Sequence, residues 1–142
     1  MGWIGLAAMW MGCASAAEPP AGVAPSPATA PFEIRVTLDA AAVAELTARK
    51  EAITVDFMVC DSGADDAATC HAHHAQLGAA GGVAAIPAVS LAPGARGEAV
   101  THASVNVFTA RRSSERNLLD CAPWLDEVSR LPPQVAIPCK LL

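Results

Sequence analysis

Cys70-His71-Ala72-His73-His74 is the cluster whose residue types and spacing come closest to chemistry. Neutral imidazoles and a thiolate are ligands for Zn²⁺ or Cu²⁺. On a helix, Cys70, His73 and His74 would stand on adjoining faces, at spacings of three and four. His102 would complete such a site if its strand ran alongside. Two considerations oppose this reading. A disulfide at Cys70 removes the thiolate, and histidines in a polar loop are ordinarily just solvated. Met58 offers a soft sulfur, but a half-buried packing role is the commoner use of methionine. The expectation is no resident cofactor, with Zn or Cu held by His71, His73 and His74 as the alternative.

Other constellations are missing. Ser, His and Asp are present without a Gly-x-Ser-x-Gly elbow to mark a nucleophile. Asp65-Asp66 and Asp126-Glu127 are neighbours in sequence, so their side chains diverge instead of flanking a substrate. Gly78, Gly81 and Gly82 lie in an Ala/Gly stretch without the Lys-Ser/Thr ending of a phosphate loop. No C-x-x-C occurs, which argues against a thioredoxin-type redox site. No enzyme is expected.

The formal charge of −5 disfavours nucleic acid and anionic membrane surfaces as partners, since both need a basic patch. Arg111, Arg112 and Arg116 are interleaved with Ser113, Ser114 and Glu115, which reads as a solvated loop. Trp124 beside Pro123 reads as a core residue sealing one end of the domain, with an exposed aromatic anchor as the alternative. Tyr is absent from the chain, so an aromatic carbohydrate platform is not expected.

The start of the chain bears on compartment. Met1 to Ala17 carries no charge, and Trp3 to Met11 forms an apolar run of export-signal length, too short to span a bilayer. Residues 1–16 are therefore read as an export signal. Ala14-Ser15-Ala16 fits a secretory cleavage site, whereas Gly12-Cys13-Ala14-Ser15 resembles a bacterial lipobox in which Cys13 takes the lipid. Residues 17–31, with Pro19, Pro20, Pro25, Pro27 and Pro31, read as a disordered Ala/Pro-rich linker. The only contact with a membrane would be through the N-terminal lipid.

Residues 32–142 then form one domain, near the commonest domain size. Its four cysteines, Cys60, Cys70, Cys121 and Cys139, suggest two disulfides with three possible connectivities. Cys60–Cys70 with Cys121–Cys139 is favoured: the first closes a short polar loop, the second staples the C-terminal strand to the segment before it.

The elements that would position these residues follow from periodicity. Phe32 to Leu38 alternates apolar and polar residues, as a half-buried strand does. Asp39 can cap a helix over Ala40 to Lys50, with Val43 and Leu46 turned inward. Ile53, Val55, Phe57 and Val59 share one face of a second strand, which sends Cys60 to the other. A short helix is expected around Ala68 to Leu77. Val83 to Leu91, broken by Pro87, suits an edge strand. Pro93 to Gly97 is a turn, and Ala99 to Ala110 a strand with Val105 and Val107 on one face. A second short helix is expected from Pro123, within Asn117 to Leu131. Val135, Ile137, Cys139 and Leu141 share one face of the last strand. The fold class is mainly β: a small antiparallel β-sandwich with one or two short helices, stapled by disulfides.

The run Ile34-Arg35-Val36-Thr37-Leu38-Asp39, the Ala-rich helix, and Ile53-Thr54-Val55-Asp56-Phe57-Met58-Val59 together resemble a known domain. It is the periplasmic C-terminal sandwich of the cytochrome c maturation subunit that hands apocytochrome to the haem-attachment machinery. Asn117-Leu118-Leu119-Asp120-Cys121 and Ile137-Pro138-Cys139-Lys140 fall outside that likeness. The resemblance implies a protein-binding module of the bacterial envelope. The expected function is thus a non-catalytic cell-envelope protein, periplasmic or an outer-membrane lipoprotein, that binds another envelope protein. A metal-handling periplasmic protein is the alternative.

Overall fold

The period-two patterns become two facing sheets. A computed structural model of the chain describes Gly22 and residues 27–61, 69–94 and 97–142. The expected export signal, the expected lipidation site at Cys13, the Asp65-Asp66 pair and most of the expected linker lie outside the described residues. The strands are β1 (Phe32–Leu38), β2 (Ile53–Asp61), β3 (Cys70–Leu77), β4 (Gly82–Ile86), β5 (Val100–Thr109), β6 (Leu119–Cys121), β7 (Trp124–Glu127) and β8 (Gln134–Leu141). One sheet has the order β4-β1-β8-β6 and the other β3-β2-β5-β7. Neighbours are antiparallel except β1 and β8, which run parallel and bring the two ends of the domain together.

The core lies between the sheets. Ile34 and Val36 from β1 and Val135 and Ile137 from β8 meet Val55, Phe57, Val59 and Val105 from the other sheet, all at most 2 % exposed. Phe32 and Phe57 meet edge to face, with ring centroids 4.8 Å apart. This geometry suits the ring quadrupoles. The single α-helix among the described residues, α1 (Ala40–Ala48), links β1 to β2; Asp39 caps it by accepting the Ala42 N–H at 2.7 Å. It buries Ala42 and Leu46, while the expected Val43 is only half-buried.

Both disulfides have the favoured pairing. Each joins residues directly opposite one another on adjacent strands, Cys60–Cys70 across β2 and β3 and Cys121–Cys139 across β8 and β6.

The structure corrects three expectations. Residues Cys70–Leu77 form a strand, not a helix. The alternation of His71, His73, Ala75 and Leu77 with exposed Cys70, Ala72, His74 and Gln76 fits period two, and the Cys60–Cys70 link fixes the register. The helix expected from Pro123 is instead the short strand β7, followed by one 3₁₀ turn, Val128–Arg130. Pairing with β5 decides this, with Val105 opposite Trp124, whose side chain packs against the core as expected. Lastly, Pro27 to Pro31 are not free linker. The Leu91 N–H donates to the Pro27 carbonyl at 2.8 Å, the Thr29 N–H to Val89 at 2.9 Å, and the Val89 N–H to Thr29 Oγ1 at 3.0 Å. The Ala28–Ser90 bridge continues the β1–β4 register past Pro87.

Gly81 sits in the turn that carries the chain from β3 to β4 and so from one sheet to the other. Its φ is +77°, and a Cβ there would lie 2.6 Å from the Val36 carbonyl oxygen. Only glycine meets both demands.

Candidate functional site: the outer face and open edge of the β3 sheet

The strand β3 decides where each histidine goes. Side chains alternate across a sheet, so His71 and His73 are half-buried towards the inner side, opposite Val59 and Phe57. His74 is exposed on the outer side, opposite Asp56. His71 Nε2–H donates to the Ala92 carbonyl at 3.1 Å and ties the β4–β5 connection to the sheet. His74 Nδ1 lies 2.9 Å from Asp56 Oδ1, an oxygen sealed from solvent without a hydrogen bond of good geometry. Cys70 is consumed by its disulfide. A helix would have gathered Cys70, His73 and His74; the strand separates them. Among the described residues, no three His, Cys, Asp or Glu side chains converge on a point that would hold a metal ion.

The outer face of this sheet carries rows of register partners. The first row is Cys70, Cys60, His102 and Glu127; the second is Ala72, Met58, Ser104 and Leu125; the third is His74, Asp56 and Asn106. His102 does lie on the strand beside Cys60, with Nδ1 2.8 Å from Thr101 Oγ1. Met58 is half-buried on this outward face, as expected, and Leu125 is 70 % exposed.

The sheet's edge is the feature that residue-by-residue reading missed. The Asp61 N–H donates to the Thr69 carbonyl at 3.0 Å. Hydrogen-bonded pairs alternate along an antiparallel ladder, so His71, His73, Ala75 and Leu77 also turn their backbone groups to β2. Cys70, Ala72, His74 and Gln76 turn theirs outward. Among the described residues no backbone group pairs with that row. The other three edge strands are short: five residues in β4, which stops at Ile86 just before Pro87, three in β6 and four in β7. β3 has eight residues without proline, lysine or glutamate, the devices that normally blunt an edge. An alternating polar–apolar segment mistaken for a helix hid this signal.

Glu51 marks the opposite end of the sheet and is 4 % exposed. Burial pushes its carboxyl up. The Ser113 and Arg112 N–H groups, the Ser113 hydroxyl and the Ala52 N–H all donate to it at 2.8–3.1 Å, and together they hold it at about 2. The expected solvated arginine loop is therefore pinned at its base, although Arg111, Arg112 and Arg116 are themselves exposed. This is a structural anchor: its carboxylate is saturated by the chain's own donors.

An apolar concavity of about 310 Å³ beside Pro27–Pro31 is lined by Pro31, Phe32, Leu91, Val128, Leu131 and Pro133. Among the described residues that line it none is charged, and Thr29 contributes the one hydroxyl. No family model, curated protein or solved structure matches the chain.

Proposed function

We propose that this is a non-catalytic, exported protein-binding module of the bacterial cell envelope, whose partner adds an extended strand to β3. The single observation that carries the reading is the outward row of backbone groups at Cys70, Ala72, His74 and Gln76, which no backbone group among the described residues pairs. An unpaired N–H and C=O row is complementary to one kind of ligand, a β-strand backbone, while alternate side chains supply selectivity. The resemblance of Ile34 to Val59 to an apocytochrome-handling sandwich supports the same class. Export is supported by the uncharged apolar start and by two disulfides, which persist in oxidising compartments. Tethering through Cys13 belongs to the same reading.

A photo-reactive residue at position 76, on the proposed edge, tests this in the native envelope. It should form an adduct with one partner, and the same probe at Arg35, exposed on the other sheet, should not. Ala72→Pro should remove the adduct, because a proline on the outward row deletes a donor to the partner. Equal adducts at both positions, or an adduct untouched by Ala72→Pro, would contradict strand addition.

A further inference from the structure

We infer that Cys60–Cys70 is an exchangeable disulfide, opened by attack of an external thiolate on Cys70 with His102 serving the leaving sulfur of Cys60. This goes beyond strand docking and does not depend on it.

The placement of the two sulfurs makes them unequal. The bond bridges β2 and β3, so it crosses from an interior strand to an edge strand. Displacement at sulfur proceeds in line with the bond being broken. In-line approach to the Cys70 sulfur comes from beyond β3, where no further strand lies among the described residues. In-line approach to the Cys60 sulfur would have to come over β5. Cys70 is also exposed, whereas Cys60 is half-buried. The outer thiolate therefore meets Cys70, and Cys60 departs.

Cys60 departs towards a histidine. His102 is its register partner on β5, and paired residues of an antiparallel ladder place their Cβ atoms roughly 5 Å apart on one face. Thr101 Oγ1 occupies Nδ1, so Nε2 is the nitrogen available to the sulfur. A low-pKa leaving thiol departs faster in such exchange, and a proton donor beside it has the same effect. Cys121–Cys139 has no such arrangement: Cys139 is 5 % exposed and its link faces the core.

With a dithiol as co-reactant the steps balance. One dithiol sulfur, as thiolate, forms a bond to Cys70 Sγ while the Cys60–Cys70 bond breaks. The electron pair goes to Cys60 Sγ, which accepts a hydrogen bond from His102 Nε2–H as it departs and takes its proton from solvent. The second dithiol sulfur, as thiolate, then attacks the first within the mixed disulfide and expels Cys70, which is protonated from solvent. The reagent is oxidised by two electrons and the protein disulfide is reduced to two thiols.

Dithiothreitol added to the folded protein, with alkylation and mass mapping over time, provides the test. Cys60 and Cys70 should become labelled while Cys121 and Cys139 stay bonded, and oxidised glutathione should restore the link. His102→Ala, at an exposed position, should slow the labelling at least about tenfold without moving the melting temperature. Opening of both disulfides together, opening only in denaturant, or an unchanged rate in His102→Ala would each overturn the inference. Photo-crosslinking at position 76 is read independently, so failure here leaves strand docking standing.

Discussion

The two sheets each contain four strands and one disulfide between directly opposed residues, yet they use that link differently. In the β4-β1-β8-β6 sheet the link turns inward, among Leu119, Ile137 and the rest of the core. In the β3-β2-β5-β7 sheet it lies on the outer face, at the end of the longest open edge. The same bond thus closes an unfolded loop in both cases, but in one it also fills interior volume. The difference teaches that a cysteine count gives cross-links, while the side on which each strand presents its cysteine separates a staple from an accessible group.

The most forceful way to break that comparison is to delete each link in turn. Replacing Cys121 and Cys139 together by alanine should cost about 4 kcal/mol, combining lost loop closure with a buried cavity. Replacing Cys60 and Cys70 should cost about 2–3 kcal/mol, since the loop is shorter and nothing in the core is vacated. Urea unfolding of the two double variants measures both. Equal losses would show that the outer link carries as much of the fold as the inner one.

Glu51 sharpens the comparison at the connection between sheets, because it holds the segment leading from β5 to β6. Its carboxyl titrates at about 2 in the folded chain against 4.5 for an ordinary glutamate. The folded value is depressed, so the stabilisation is fully present above about pH 4.5 and is lost as pH falls towards 2. It amounts to on the order of 3 kcal/mol at neutral pH. Glu51→Gln should remove most of this and flatten the acid limb of a stability-against-pH curve. A parallel curve with an unchanged acid limb would contradict the anchor.

A smaller loss is expected where the chain crosses between sheets. Gly81→Ala should destabilise by about 1–3 kcal/mol, from the positive φ and the close approach to the Val36 carbonyl. Gly82→Ala tests the strain alone, since its φ is +134° and its Cβ would meet open space. Thermal melts of the pair separate crowding from strain.

The smallest effect on stability belongs to the open edge. The Ala72 N–H points away from β2, so Ala72→Pro should cost less than about 1 kcal/mol. His73→Pro, whose N–H is in the ladder to Phe57, should cost about 3 kcal/mol. Should the two variants lose similar stability, the assignment of outward and inward rows along β3 would be wrong.

Long alternating stretches were readable without coordinates. Phe32–Leu38, Ile53–Val59 and the C-terminal run each place apolar residues at every second position, and Asp39 precedes good helix formers; the strands and the cap stand where that pattern puts them. Cys60–Cys70 with Cys121–Cys139 was the favoured one of three possible connectivities, as a short loop closure and a staple on the C-terminal strand, and it is the pairing present. The histidine segment was not readable in this way. Its Ala and His content satisfies helical and strand periods alike, and only pairing to β2 selects one. β7 was ambiguous for a similar reason, being four residues long and deriving its conformation from β5.

The sequence by itself determined a mainly β domain with its apolar faces and its cap, because those depend on residues near one another in the chain, while the pairing of its four cysteines was settled by the strands that carry them. Tertiary structure alone decided the parallel β1–β8 pair, the docking of Pro27–Pro31 against Val89–Leu91, the separation of His74 from His71 and His73, and the open edge of β3. The reason is physical: a backbone N–H or C=O looks the same at every residue, and only the neighbouring strand determines whether it is paired.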